Sequence, residues 1–407
     1  MTEAPEKSSN SSAGVKPPAL WMLVALSAVG PLAINIFQPS IGSIADSFGI
    51  ASSDVQWALT VYLFGLLFGQ MIYGPLSDRY GRKPLLYFGL IGFILANTWL
   101  ALSASFGSLL IGRGLQAFTG CCGIILTRAI VRDCYPTEKS ASAYGYITTA
   151  MVAVPAVAPA LGYSLESLGS WRYSFGFLAV FGFAVLAITL RFVPETNKAR
   201  LSRLDFGSYR DAGGMLLRSR PFLAYSGVIG FGTASFFSFL NGAPYATIET
   251  LGLTGRDFSI YFLILSAGYM GGNFVAGRYA LRLGLPRMMH VGHSISLLGT
   301  AIFLINLYTP SMITIFTPAA IVAFGGGLYN PASMAGALAV RPDVAGTASS
   351  IVGVLSMIIA LAMSALVNAL LAPNLVGFIV IYSACSVGAA LCAYIALWAQ
   401  PLKTAAA

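Results

Sequence analysis

The sequence predicts an all-α membrane protein of about twelve transmembrane helices, arranged as two six-helix halves. Three observations predict it. Of the 407 residues, 57% are apolar and only 9% are charged, whereas a soluble globular domain carries roughly 25% charge. Apolar runs of about 20 residues, the length that crosses a hydrocarbon core of about 30 Å, recur along almost the whole chain. A short pattern in the first half returns in the second.

The first six spans fall near 20–42, 54–76, 84–104, 108–133, 140–165 and 172–193, and the second six near 221–247, 257–279, 287–307, 311–336, 346–371 and 376–400. Residues 1–19, polar and rich in Ser and Pro, read as a disordered cytoplasmic tail, and no cleavable signal peptide is expected. The halves are then 20–193 and 221–400. Between them lies a linker, 194–220, with the basic stretch Lys198 to Arg220, and 401–407 forms a second cytoplasmic tail. With the N-terminus inside, all Lys and Arg residues face the cytoplasm except Arg172, Arg256 and the intrahelical Arg113, which fixes the orientation.

The repeat lies in the loops after the second and eighth spans. Gly74, Arg79 and Gly81 recur as Gly277, Arg282 and Gly284; the offsets 277−74, 282−79 and 284−81 are each 203. Parallel repeats of this kind are a transporter signature.

Composition also excludes. The net charge of +9 sits in short clusters between apolar runs, as in membrane loops, so nucleic acid is not the expected partner. The five cysteines lack metal-ligand spacing and read as packing residues. There is no HExxH, no cluster of His with acids and no nucleotide-binding loop, so neither an enzyme nor a primary pump is expected. No filter-like repeat suggests a channel, and no soluble output domain suggests a sensor.

Particular segments carry a family resemblance. Gly74-Pro-Leu-Ser-Asp78-Arg79-Tyr-Gly81-Arg82-Lys83 resembles the loop 2–3 signature of the major facilitator superfamily. The resemblance implies a gating role for Asp78, paired with a helix dipole or an arginine, with Arg128 or Arg132 in reach. Arg113-Gly-Leu-Gln116 followed by Gly120 resembles the fourth-helix motif. Val154-Pro155-Ala-Val-Ala-Pro159-Ala-Leu-Gly162 resembles the fifth-helix motif of exporters, with Ala158 where a glycine is common. Pro31 to Pro39, Ser170-Trp-Arg172 and Pro194-Glu-Thr196 are similar to the Bcr/CflA branch of drug:proton antiporters. The resemblance implies a secondary transporter that exports small amphiphilic molecules, antibiotics among them, in exchange for protons by alternating access. It further implies a monomer without cofactor in the bilayer of a bacterial inner membrane. A facilitator or symporter for a small neutral metabolite is the alternative.

One departure matters: the branch usually presents an aspartate where this chain has Asn35. No Asp or Glu stands at the centre of any predicted span, although proton coupling normally uses an intramembrane carboxylate. The remaining candidates for coupling lie near outer helix ends, Asp54, Glu166, Glu249 and Asp257, with Glu249 foremost because it closes the aromatic-rich seventh span. Asn35, Gln38, Tyr62, Arg113, Gln116, Asn241 and Tyr245 are the expected substrate contacts, because polar and aromatic groups inside apolar spans suit a pocket for amphiphiles. Tyr144, Phe236, Phe237 and Phe239 add aromatic surface, and Asn97 and Asn273 are expected to bond between helices. The gate is expected to comprise Gly74, Asp78, Arg79, Gly81, Arg82, Arg128, Pro155, Pro159 and Gly162. His290 and His293 read as interfacial residues.

Overall fold

The computed structural model describes residues 17–134, 137–197, 213–341, 344–371 and 375–398. Residues 1–16 of the expected tail 1–19, the tail 401–407, most of the linker, and the Tyr144 side chain lie outside the described residues. Twelve long helices follow one another: α1 Leu20–Phe48, α2 Ser52–Tyr80, α3 Arg82–Ala101, α4 Phe106–Cys134, α5 Thr137–Glu166, α6 Arg172–Phe192, α7 Arg220–Thr250, α8 Gly255–Tyr279, α9 Arg282–Leu307, α10 Met312–Ala339, α11 Thr347–Leu370 and α12 Val376–Trp398. All but α5 are identified as membrane spans by length and composition among the described residues. The expected spans are therefore present. The largest shifts are at the end of α1, which runs six residues past 42, and the start of α9.

Local chemistry explains the irregular places. Pro39 has no N–H to give, so α1 stops being α-helical at Asn35, passes through a tight turn at Gln38–Ser40, and resumes at Ile41. The turns after α2 and α8 need a residue with positive φ. Gly81 (φ 103°, ψ 161°) and Gly284 (φ 74°, ψ 160°) supply it. These are the two repeat glycines 203 positions apart, so the sequence repeat is also a backbone repeat. Helix α8 opens with a reciprocal cap between Thr254 and Asp257, and α10 with one between Ser311 and Thr314.

Helix pairs approach backbone to backbone where glycine removes the side chain. A Cβ on Gly65 would lie 2.2 Å from the Gly114 carbonyl oxygen (α2 on α4), and one on Gly123 2.1 Å from that of Leu26 (α4 on α1). Such small-residue faces replace the missing hydrophobic drive between helices in lipid.

The apolar core reveals how the two halves meet. Call the end of the bundle with the Arg79–Lys83 turn the basic face, and the other end the opposite face. One large cluster runs through α1–α6 and continues into Phe239, Phe258, Phe316, Phe378 and Tyr382 of the second half, all towards the opposite face. Towards the basic face the second half has a separate cluster around Phe222, Tyr225, Met289 and Tyr329. The halves are thus fused at the opposite face and distinct at the basic one.

Candidate functional site

Between the halves lies a cavity of about 380 Å³. From the first half α1 contributes Pro31 and Asn35, α2 Tyr62 and Gln70, α4 Arg128, and α5 Met151 and Pro155. The second half contributes Phe236, Phe237 and Phe239 from α7, Tyr269 from α8, Tyr329 and Asn330 from α10, Met357 from α11 and Tyr382 from α12. Rings and thioethers dominate, and a few amides and hydroxyls interrupt them. Among the described lining residues there is no carboxylate. The cavity reaches towards the basic face, where Arg128 is exposed, and stops short of the opposite one, where every residue from Ala33 to Ile41 is buried.

Of the expected substrate contacts, only Asn35 and Tyr62 line this cavity. Asn35 donates to the Pro31 carbonyl (2.8 Å) and its Oδ1 has no protein partner among the described residues; Tyr62 donates to the Gly30 carbonyl (3.0 Å). Arg113 and Gln116 stand behind the wall. The Arg113 guanidinium is fully buried, 4.5 Å from the Tyr62 ring centroid and 4.6 Å from that of Phe37. Its Nη1 donates to the Ala33 carbonyl (3.0 Å) and to Gln116 Oε1 (2.5 Å). Gln116 in turn donates to Asn97 Oδ1 (2.6 Å), so Asn97 bonds between helices as expected. The bond of Asn273 stays within its own helix instead, its amide donating to the Tyr269 carbonyl one turn earlier (2.9 Å). The correction has a physical reason: a buried cation is held by the acceptors nearest to it, here a carbonyl just before the break in α1, and so never reaches the cavity. Gln38 lies in the buried turn beyond that break, its amide directed at the Ile34 carbonyl (3.4 Å).

Asn241, Tyr245 and Glu249 belong instead to the seal at the opposite face. Asn241 donates to the Ser364 carbonyl (3.1 Å) and hydroxyl (2.9 Å). Ser364 meets Thr60 of the first half (3.2 Å), which also accepts from Asn368 (2.8 Å). The Ser52 hydroxyl donates to the Glu249 carboxylate across the halves. Nearby, a Cβ on Gly255 would lie 2.5 Å from the Pro39 carbonyl oxygen. Tyr245 packs half-buried against the shared core.

At the basic face, charges fasten the first half to itself. Arg82 pairs with Asp78 (2.6 Å) and Asp133 (3.0 Å), and donates to Ser77 Oγ (2.5 Å). Arg132 is a further arginine near Asp78 (3.8 Å), and Arg128 lines the cavity. Glu195, past the end of α6, accepts from the backbone N–H groups of Arg82 (3.0 Å) and Lys83 (3.1 Å), so it caps α3 at its positive end. Thr196 donates to Asp133 (3.1 Å), and Asn197 donates to the Ser77 (3.1 Å) and Asp78 (2.8 Å) carbonyls. Arg79 lies exposed beside this clamp, and Gly74 shapes no close contact. Asp133 and Asn197 were not singled out by sequence reasoning, and Glu195 entered only within the Pro194-Glu-Thr196 resemblance, with no role assigned.

Replacing Arg82 by alanine is expected to cost about 2–3 kcal/mol, less than the roughly 3–5 of a fully buried pair, because the Asp78 and Asp133 side chains keep 25% and 16% exposure. A melting curve in detergent reads the loss. Asp78→Asn is expected to slow transport while ligand binding in the cavity persists. Binding lost with cycling intact would refute the gating assignment.

A family model described as the Major Facilitator Superfamily matches residues 23–364. The chain belongs to this superfamily. Its family and its structural neighbours are transporters and not enzymes. A Bacillus subtilis protein called an uncharacterized MFS-type transporter, YdgK, is 29% identical over 86% of this chain and 88% of its own. A chloramphenicol resistance protein of Pseudomonas aeruginosa is 28% identical over 86% and 84%, and a bicyclomycin resistance protein homolog of Haemophilus influenzae 27% over 93% and 96%. These names support the Bcr/CflA branch. Among solved structures, a D-xylose-proton symporter shares the fold at TM-score 0.73 and 15% identity, covering 92% of this chain and 96% of that one. An inward-facing, occupied bacterial homolog of the human lysosomal transporter Spinster does so at 0.71 and 17%, covering 95% and 97%. The cavity lies between the clamp at the basic face and the seal at the opposite one.

Proposed function

We propose that this chain exports uncharged amphiphilic small molecules, antibiotics among them, in exchange for protons across the bacterial inner membrane. The basic face, both termini and the linker 194–220 are then cytoplasmic, in keeping with the Lys and Arg distribution. The cavity carries this reading. Its aromatic and methionine surface suits flat apolar bodies, and Asn35, Gln70 and Asn330 offer neutral polar groups. No described carboxylate is there to balance a cation, and an unpaired charge in such a site costs several kcal/mol. The state described here opens to the cytoplasm, where an exporter loads, and Glu249 with Ser52 acts as a latch on the periplasmic seal.

The test is growth of an efflux-deficient bacterium with and without the protein, on chloramphenicol and on tetraphenylphosphonium. Several-fold protection against chloramphenicol with little against the cation is expected. Equal protection against both would contradict the charge argument, and none against either would end the export reading. Asn35 in the branch's usual acid position favours a second reading, a facilitator of neutral metabolites. Protection that survives an uncoupler would support it.

A further inference from the structure

If protons drive this transporter, one buried group has to change protonation between its states, and the acid expected in α1 is Asn35. The membrane-spanning helices of the second half offer another group. His293 stands about 12 Å along α9 from Leu285, the first residue past the Gly284 turn, eight residues at 1.5 Å each, near the middle of that helix. Sequence reading placed it at the interface; the structure buries it to 6% exposure while His290, one turn earlier, is exposed.

Its ring stacks on Tyr329 with centroids 4.1 Å apart and an interplanar angle of 18°, and Tyr329 lines the central cavity. Nδ1 lies 2.8 Å from the Met289 carbonyl oxygen. A carbonyl can only accept, so Nδ1 carries the hydrogen and Nε2 is the free base. Nε2 is buried and has no hydrogen-bond partner among the described residues. His293 also borders a second cavity, about 180 Å³, between α9 and α12, with His290, Ser294 and Tyr394.

The groups around it are few. On its own helix is His290; α10 brings Tyr329, itself beside Tyr269 of α8 and Cys385 of α12, and α12 brings Tyr394 across the smaller cavity. Helices α9, α10 and α12 contain no Asp or Glu, and the one acid of α8 is Asp257 at its far end. No carboxylate on these helices would hold the imidazolium in place, so a proton taken up here can leave again. Histidine is also the side chain whose ordinary range spans pH 5 to 8.

We propose that His293 is the proton carrier of the transport cycle. In the state open to the basic face the ring is neutral, because a proton on Nε2 would leave a buried N–H unpaired. In the state open to the opposite face Nε2 takes a proton from water. The new charge lies against the Tyr329 ring and alters the cavity wall through it. Return to the present state releases the proton towards the basic face, by way of the α9–α12 cavity. An N–H bond forms as an O–H bond of hydronium breaks and leaves water, and release to water reverses both. Exchange follows because proton and cargo favour different states.

This inference rests on the proton-antiport reading, and its test separates the two. Spin labels on Asp46→Cys and Leu253→Cys, exposed on the two halves at the opposite face, report opening of nanodisc-embedded protein without any cargo; Cys392 is changed to alanine and the other cysteines are buried. Acidification from about pH 8 to about pH 5 is expected to lengthen the distance in the parent protein. His293→Gln and His293→Asn should abolish that response, the asparagine keeping a donor for Met289, and both should lose gradient-driven chloramphenicol uptake in inverted vesicles while exchange without a gradient continues. A parent that ignores pH, or variants that respond like the parent, would overturn the proposal, as would a response removed by Glu249→Gln and kept in both His293 variants. If the variants do not insert, nitrogen-15 NMR of His290→Gln protein reads His293 directly, and a ring neutral throughout that range overturns it too. If the parent moves neither chloramphenicol nor ethidium but its labels respond through His293, the drug reading falls and the proton site stands.

Discussion

Gly162→Leu is expected to abolish transport and sharply lower the yield of folded protein. A Cβ at Gly162 would lie 2.0 Å from the Ile36 carbonyl oxygen and 2.9 Å from its carbon, far inside contact distance. The obstacle is backbone, which cannot swing aside like the end of a side chain. Nor can α1 retreat: Ala33 to Ile41 are all buried, and the Ala33 carbonyl is tied to Arg113. Overpacking of well-filled sites costs about 1–3 kcal/mol and occasionally more; two helices forced apart belong at the upper end. Gly162→Ala should already be damaging. Gly176→Ala is the control, because nothing lies within 4 Å of a Cβ there, and it should behave as the parent. Transport in vesicles and the melting temperature read both. A fully active leucine variant would mean that α1 and α5 are not packed as described.

Arg113→Met is expected to fold, yet to lose transport by about tenfold to a hundredfold, equivalent to roughly 1.4–2.7 kcal/mol. The two halves of that expectation have different causes. Removing a buried charge together with its desolvation penalty is often neutral for stability when the replacement fills the space. Methionine can lie between Phe37 and Tyr62, where the guanidinium now stacks. What methionine cannot do is donate. Ala33 loses the hydrogen bond that fastens the end of the first α1 segment, and Gln116 Oε1 loses its donor. Pro31 and Asn35, which line the cavity, are then positioned by packing alone. Arg113→Lys should recover little, since one ammonium cannot reproduce the planar fork against two rings. Unimpaired transport in the methionine variant would show that the arginine serves neither position nor chemistry.

These two sites also show what could be read in the chain. The spans were legible because a bilayer sets their length, and the turn glycines because their spacing repeats and positive φ admits little else. Gly162 was legible as a member of a motif, although its contact with Ile36 was not. Arg113 was rightly singled out as an unusual buried charge, but burial is not access: besides Gln116 on its own helix, its partners come from α1 and α2, and sequence distance says nothing about which face they share. Asn35 and Tyr62 reached the cavity as expected. Tyr269, Tyr329 and Tyr382 went unnoticed because an aromatic residue in an apolar span looks the same whether it meets lipid, core or cargo. Asp133, Glu195 and Asn197 looked like ordinary loop-end polar residues until helix ends far apart in sequence brought them to Arg82.

Among the described residues, the ion pairs of the basic face all belong to the first half. Adding 203 to Asp78 and Arg82 leads to Leu281 and Leu285, so the two positions that pair in the first half are leucines in the second. The two halves therefore answer differently to solution conditions. Added salt screens the ion pairs and should soften the first half while sparing the second; cooling weakens apolar contacts and should act in the reverse sense. A transporter built this way pairs a stiff lever with a compliant one, and ionic strength and temperature become separate handles on which lever yields.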